Sequence, residues 1–331
     1  MSGPERYGIT VPFDGIPLHA HRDWFARLRD WGYTDVWSAE VDGADGFTPL
    51  ALAAAWEPTL KLGVAITPAY TRGPALLAQS VASIADSAPG QFAFGLGASS
   101  EVIVAKWNGL AFDDQYKRVR DTLRFLKAAL AGEKITEHYD TFTVEGFKLS
   151  RLPEQMPAIY LAALRPGMLH LAGREADGAI LNWLSADDVA TSVAEVHKAA
   201  ESAGKDPADL AVAARIFVLV TEDADLARTI GRRMITAYLN VHAYAEFHRW
   251  LGRGPDLQPM WDAWAAGDRK GALAAIPDHV VDELVVHGSV AECRAHIRRY
   301  MDNGVTIPAP MVVPIGIDLA DALAGLSPSA A

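Results

Sequence analysis

Short apolar runs alternate with helix-like stretches along nearly the whole chain of 331 residues. Eight runs share this character, and they are residues 7–11, 35–38, 62–67, 91–97, 159–163, 178–182, 213–220 and 309–314. Strands that alternate with helices form βαβ units and a parallel sheet. Eight such units predict a closed (β/α)8 TIM barrel, in which active sites lie at the carboxyl ends of the strands. The residues directly after each run are therefore the candidate functional residues.

Two stretches are longer than a barrel repeat needs. Residues 132–157 precede the fifth run, and the alternation of TFTVEGFKL at 141–149 predicts a small hairpin. Residues from about 223 to 288 predict helices at 225–250 and 259–276, and their first part is rich in aromatic side chains. The aromatic side chains of that part could pack in the core or at a dimer face. They could also form a lid or pocket wall over the barrel mouth, and the two interpretations are compatible. We find no linker, so we expect one barrel domain over residues 1–331.

The charge and the cysteine count restrict the partners and the compartment. The net charge of −11 argues against nucleic acid and against anionic membranes, because both favour basic patches. We find no apolar stretch long enough to span a bilayer and no apolar segment of a secretory signal near the N-terminus. The single cysteine, Cys293, excludes an internal disulfide framework and is expected to pack within a helix. We therefore expect a cytoplasmic protein that acts on a small molecule.

An acidic loop follows the second run. Glu40, Asp42 and Asp45 lie within six positions of one another on a segment that also contains glycine. Acidic loops are often simply solvated, but a position at the catalytic face of a barrel favours contact with a ligand. The spacing matches no calcium loop and brings no histidines, so we expect no metal site.

Small and polar residues follow four other runs. Thr67 would place a hydroxyl in the pocket or shape the turn into Pro68, and Gly97-Ala98-Ser99-Ser100 would allow a ligand to approach the backbone closely. Residues 164–168 would offer amides to an anion or form an ordinary turn. Trp183, after Asn182, would form the wall beside an aromatic ligand or pack under the next helix. Hydroxyls, amides and planar walls suit a planar redox cofactor, and we find no nucleophile or zinc motif.

Three segments carry a resemblance to a known family. They are LRDWGYTDVWSAEVDGADGFTPLALAAA, LKLGVAITPAYTRGPALLAQSVASIADSAPGQFAFGLGASSEVIV and IYLAALRPGMLHLAGREADGAILNW. They resemble the bacterial luciferase-like family over roughly residues 5–315, and most closely its deazaflavin (coenzyme F420)-dependent oxidoreductases. The resemblance implies a (β/α)8 barrel with the cofactor ring at its mouth and a bulge with a non-prolyl cis peptide near Val64-Ala65 in the third strand. The cofactor-binding positions that it implies are Glu40, Val64, Ala65, Thr67, Gly97, Ala98, Ser99, Ser100, Leu164, Arg165, Pro166, Gly167, Met168, Asn182 and Trp183.

The chain departs from this family pattern after the second run. Several relatives place a catalytic histidine there, where this sequence has Val41, and the lysines expected around a sugar phosphate are not evident. A hydride transfer to or from a carbonyl, alcohol or conjugated alkene would then take its proton from Asp42, Asp45 or a water. Either carboxyl would need a pKa raised by burial.

Two alternatives to this function remain at this stage. The first is an FMN-dependent monooxygenase of the same fold, and the second is a cofactor-binding protein without catalysis. We expect a homodimer in each case, as is common among barrels of this family.

Overall fold

A computed structural model describes residues 6–330 of the chain. Residues 1–5, which enter the sequence-based expectation about a secretory signal, lie outside the described residues. The barrel strands are β1 (Gly8–Thr10), β2 (Asp35–Ser38), β3 (Lys61–Pro68), β4 (Phe92–Gly97), β5 (Ala158–Ala162), β6 (Gly178–Asn182), β7 (Ala211–Val220) and β8 (Ile307–Pro314). Neighbouring strands pair in parallel from β1 through to β8. All eight predicted runs are strands.

The eight strands form a nearly closed barrel. A hydrogen bond of 3.2 Å from Thr10 Oγ1 in β1 to the carbonyl oxygen of Ala309 in β8 joins the first and last strands. The helices surround the barrel, so the predicted (β/α)8 TIM barrel is confirmed. No helix within residues 6–330 has both the length and the apolar character needed to cross a membrane.

Thirteen α-helices occur within the described residues. They are α1 (His21–Asp30), α2 (Thr48–Trp56), α3 (Pro74–Ser87), α4 (Gln115–Leu130), α5 (Pro166–Glu175), α6 (Asp188–Ser202), α7 (Ala224–Leu239), α8 (His242–Trp250), α9 (Gly254–Ala265), α10 (Arg269–Ala274), α11 (Asp278–Leu284), α12 (Val290–Asp302) and α13 (Leu319–Gly325). The helices α2, α3 and α5 each have a proline in the first turn. Proline is favourable there because the N–H group that it lacks would have no acceptor within the helix.

The barrel has two packing layers. Side chains that alternate outward from the strands pack with the helices in the main core, whereas inward side chains form a separate cluster around Trp37 and Tyr160. Gly63 makes room for the indole of Trp37, since a Cβ at this position would lie 2.4 Å from two of its ring atoms. This packing fills the lower part of the barrel and leaves the strand ends to form the mouth.

The two insertions differ in detail from the prediction. The hairpin pairs Ile135–His138 with Thr143–Phe147, so the segment 141–149 supplies only its second strand. The segment 223–288 contains five helices, α7 to α11, where two were predicted. The first predicted helix is interrupted at Asn240 and Val241, the second is divided between α9 and α10, and α11 was not predicted. The segment ends in a short strand, Val286–Gly288, which pairs with β7 and was not predicted. The observed ends of these helices also differ from the predicted ends by a residue or more.

Candidate active site

The third strand has an irregular end at the barrel mouth. Its register with β4 shifts between Val64 and Thr67, and a non-prolyl cis peptide joins Ala65 to Ile66. The predicted bulge is therefore present, with the cis bond one residue beyond the predicted position. Val64 packs in the outer core, whereas Ala65 and Ile66 face the barrel interior. Thr67 is fully buried, and its hydroxyl has no hydrogen-bond partner among residues 6–330.

Small residues on neighbouring strands pack closely together at the end of β4, where Gly97 is buried. Gly97 ends β4, and a Cβ there would lie 2.9 Å from the Ala162 Cβ and 3.0 Å from Ile66 Cδ1. A larger side chain at this position would therefore displace both neighbours. Ala98 follows, and Ser99 takes the left-handed conformation with φ of 67°. Ser100 Oγ accepts a hydrogen bond of 3.3 Å from the Ile103 amide at the start of the next helical turn.

Glu40 holds two mouth loops together. Its carboxylate accepts hydrogen bonds from the Gly46 amide at 3.0 Å and from Arg72 Nη1 at 2.5 Å. Arg72 also lies 4.8 Å from the ring centre of Phe47. The carboxylate and the guanidinium are 15% and 18% exposed, so the pair borders the mouth. Arg72, which follows β3 by four residues, was missed by the sequence analysis.

Asp45 and Asp42 lie in different surroundings on the same loop. Asp45 accepts hydrogen bonds from the amides of Phe47 and Thr48 at 2.8 and 3.0 Å and from the Thr48 hydroxyl at 2.5 Å. Burial acts to raise the pKa of Asp45, but the hydrogen bonds from Thr48 and Phe47 outweigh it and lower that pKa below its ordinary value. The raised pKa that an acid role requires is therefore not met at Asp45. Both Asp42 and Asp45 are exposed residues.

Residues 164–168 form the turn that begins α5. Arg165 is exposed and immediately precedes the helix, and its carbonyl accepts the amides of Met168 and Leu169, each at 3.0 Å. Leu164, Pro166 and Met168 are half-buried, and Gly167 is exposed. The turn thus opens at the mouth side of the barrel, as the sequence predicts for this segment.

An aromatic wall forms beyond the ends of β6 and β7. Trp183, at φ of 54°, stacks on Phe217 with ring centres 4.3 Å apart and also contacts Tyr238 at 4.9 Å. Asn182 Nδ2 donates a hydrogen bond of 3.0 Å to Tyr244 Oη, while Asn182 Oδ1 is buried with no partner among residues 6–330. The aromatic segment therefore reaches the end of β6 through Tyr244, while Trp183 itself is buried. On its other side Phe247 and His248 are fully buried, which is core packing.

Arg215 is a second residue that the sequence analysis missed. It lies opposite Asn182 in the register of β6 and β7, and its guanidinium carbon is 5.1 Å from the ring centre of Phe217. Among the described residues no carboxylate pairs with Arg215, and its Nε is buried without a hydrogen bond. An arginine that interrupts an apolar, inward-facing strand is itself a signal of function, because unpaired charge is costly to bury.

The mouth offers hydroxyls, amides, aromatic faces and the cation of Arg215, which pairs with no carboxylate in the described part of the chain. Cys293 is buried elsewhere, and burial raises the pKa of its thiol to about 12, so it is no nucleophile at neutral pH. Within residues 6–330, no group of three or more His, Cys, Asp or Glu is placed to hold a metal ion. These features define a barrel protein whose mouth suits a planar organic ligand.

Comparison with known proteins agrees with this class. A family model for luciferase-like monooxygenases matches residues 3–306, and the chain belongs to that family. A 5,10-methylenetetrahydromethanopterin reductase of Methanolobus tindarius is 28% identical over 91% of this chain and 92% of its own. An F420-dependent hydroxymycolic acid dehydrogenase of Mycobacterium tuberculosis is 30% identical over 76% of this chain and 73% of its own. The F420-dependent tetrahydromethanopterin reductase of Methanopyrus kandleri has the same fold, with a TM-score of 0.81, 19% identity and 99% of both chains covered.

Proposed function

We propose that the protein is a deazaflavin (F420)-dependent oxidoreductase that transfers a hydride to or from a small organic substrate. The observation that carries the proposal is the end of β3, where a bulge precedes the buried, unbonded hydroxyl of Thr67. A buried hydroxyl without a partner costs free energy unless a ligand supplies one. Relatives that include an F420-dependent dehydrogenase support the choice of cofactor.

The residues at the mouth fit a ring system with polar edges. Thr67 and Asn182 offer unbonded polar atoms, and Gly97 allows Ala162 and Ile66 to pack closely at the same strand ends. We assign the ring to this region and the negatively charged cofactor tail to the amides and the arginine of residues 164–168. Ala98, Ser99 and Ser100 would complete the binding loop, and Trp183 would form part of the aromatic wall. When bound, the deazaflavin supplies a ring carbon that accepts or donates a hydride.

The protein itself would orient the reactants and exclude water. The Glu40–Arg72 pair fixes two mouth loops, and the stacked, buried rings of Trp183 and Phe217 support the end of β6. A fixed, water-poor pocket brings hydride donor and acceptor close together without further ordering at the moment of reaction.

The second candidate is an FMN-dependent monooxygenase, because the family that the chain belongs to is described as luciferase-like monooxygenases. Titration of the purified chain with F420 and, separately, with FMN distinguishes the two candidates. Fluorescence should report micromolar or tighter binding of F420, with FMN at least tenfold weaker. Binding of FMN alone would favour the monooxygenase, and binding of neither cofactor would remove the proposal. Bound F420 that no acceptor oxidises would favour a protein without catalysis.

A single substitution tests the assignment of Thr67. Thr67→Val keeps the shape of the side chain but removes its hydroxyl, so F420 affinity should fall about fivefold, the value of about 1 kcal/mol for one hydrogen bond. Thr229→Val, at an exposed position on α7, is the matched control and should leave the affinity unchanged. An unchanged affinity in Thr67→Val would show that the ring lies elsewhere. The expected homodimer and the cytoplasmic location stay predictions, for which light scattering and cell fractionation are direct tests.

A further inference from the structure

Tyr244 brings a phenol from the helical insertion to the barrel mouth. The residue lies on α8, and Tyr244 Oη accepts the 3.0 Å hydrogen bond from Asn182 Nδ2 at the end of β6. Because the oxygen accepts this bond, the hydroxyl proton remains able to donate in another direction. The residue is partly exposed, and its ring packs at the border between the main core and the core of the helical insertion.

Arg215 places a positive charge next to this phenol. The side chain projects from β7 at the position that pairs with Asn182, and no carboxylate of residues 6–330 neutralises it. Its charge acts to lower the pKa of Tyr244, against the larger effect of burial. A cation and a hydroxyl proton that face the same space favour an oxygen atom that becomes negative during a reaction.

We propose that Tyr244 is the proton donor of the reaction and that the hydride acceptor is a carbonyl compound whose oxygen binds between Tyr244 and Arg215. This inference rests on the proposed deazaflavin-dependent function and names its substrate class. The rings of Phe217 and Trp183 beside the two polar groups indicate that the carbonyl is flanked by apolar groups.

The step balances in atoms and electrons. The carbonyl carbon gains a hydride, with its two electrons, from the reduced deazaflavin, and the C=O π bond breaks. The carbonyl oxygen takes the proton of the Tyr244 hydroxyl, so that a ketone becomes a secondary alcohol. The phenolate that remains is stabilised by Asn182 and Arg215 and is reprotonated from water. The reductant is oxidised by two electrons and the carbonyl compound is reduced by two.

The protonation state of Tyr244 decides whether the phenol donates or accepts a proton in the reaction. Desolvation raises the pKa of Tyr244 to about 12, with the neighbouring Tyr238 acting in the same sense and Asn182 and Arg215 opposing it. The groups that face the phenol are thus Tyr238 from α7, Asn182 from β6 and Arg215 from β7. At neutral pH the phenol is protonated, which suits it to donate a proton in carbonyl reduction. Asp45, with its lowered pKa, is ionised under the same conditions.

The test uses the full chain loaded with reduced F420 and a panel of acetone, cyclohexanone, acetophenone and cyclohex-2-enone. Wild type should reduce at least one ketone. Tyr244→Phe should lower kcat for that ketone about 100- to 1000-fold, as loss of a general acid does, with the F420 dissociation constant changed less than about threefold. Tyr33→Phe is the matched control, because Tyr33 also has a buried phenol, bonded to the Leu323 carbonyl far from the mouth. Its kcat should stay within about twofold of wild type.

Chemical rescue separates proton donation from a structural role. Tyr244→Ala leaves space for a small molecule, so added phenol should raise its kcat, whereas Tyr244→Phe, which leaves no such space, should not respond. A kcat in Tyr244→Phe within threefold of wild type would overturn the role of Tyr244. Reduction of the enone at its alkene alone, or bound F420 with no reduction of any ketone by wild type, would overturn the carbonyl class. Wild type that binds no F420 would overturn the proposed function first, and this inference with it.

Discussion

The carboxylate of Glu40 and the guanidinium of Arg72 lie 2.5 Å apart and join the loop after β2 to the turn after β3. The sequence analysis assigned Glu40 to the cofactor, whereas the structure shows it bonded to protein groups as well. The pair therefore holds the two loops in place. Any contact of Glu40 with the cofactor would depend on this arrangement of the loops.

We predict that Arg72→Ala loosens the mouth. Removing the guanidinium leaves a largely buried carboxylate with fewer partners, so the free energy of unfolding should fall by about 1–2 kcal/mol and F420 affinity should weaken. Chemical unfolding and the cofactor titration measure the two effects. Arg151→Ala, whose side chain is 82% exposed in its pair with Asp86, is the control and should cost less than about 0.5 kcal/mol. Equal effects of the two substitutions would contradict a special role for Arg72.

We predict that Asp45 stabilises the start of α2 rather than donating a proton. Asp45→Ala should lower the free energy of unfolding by about 1 kcal/mol, as the loss of a helix-capping group does, and Asp45→Asn should cost less because its amide oxygen still accepts. Both variants should keep kcat within about threefold. A loss of kcat without a loss of stability would return Asp45 to the catalytic assignment.

The same carboxylate has a predictable pH dependence. Its folded-state pKa is lowered, so its stabilising contribution is present above the unfolded value of about 3.9 and is lost as the pH falls through the folded value. Urea unfolding between pH 3 and 6, at about half-unit steps, should therefore show the stabilities of wild type and Asp45→Asn converging at the acid end. A difference that grows towards low pH would contradict this assignment.

We predict that Gly63→Ala disturbs the inner barrel layer. The added Cβ would lie 2.4 Å from the Trp37 ring, which is itself buried, so the free energy of unfolding should fall by about 1–3 kcal/mol. The control is Gly43→Ala, on an exposed loop where no atom lies within 4 Å of the added Cβ, and the expected change is below about 0.5 kcal/mol. Thermal unfolding measures both, and an unchanged melting temperature in Gly63→Ala would show that the Trp37 packing is looser than described.

The fold could be predicted from the sequence because its signals are local. Each barrel strand is a short apolar run between helix-like segments, so the eight strands could be located without knowledge of their partners. The short strand at Val286–Gly288 was missed because three residues carry no periodicity. The break after Leu239 was missed because the aromatic pattern continues across it.

The site was predictable only where it follows the strand ends. Position along the barrel identified Thr67, Gly97 and Asn182, because the carboxyl ends of parallel strands meet at one face. Arg72 and Tyr244 could not be found in this way, since their roles depend on loops and helices that fold back over the mouth. Arg215 could have been predicted from the sequence, because it interrupts an apolar strand on the inward face.

A crystal structure of the chain with F420 bound would test the proposed position of the cofactor at the barrel mouth. We predict a deazaflavin ring at the barrel mouth, with a polar ring atom within hydrogen-bond distance of Thr67 Oγ1 and the ring beside Asn182. A ring that lies away from the end of β3, with the Thr67 hydroxyl still unbonded, would contradict it.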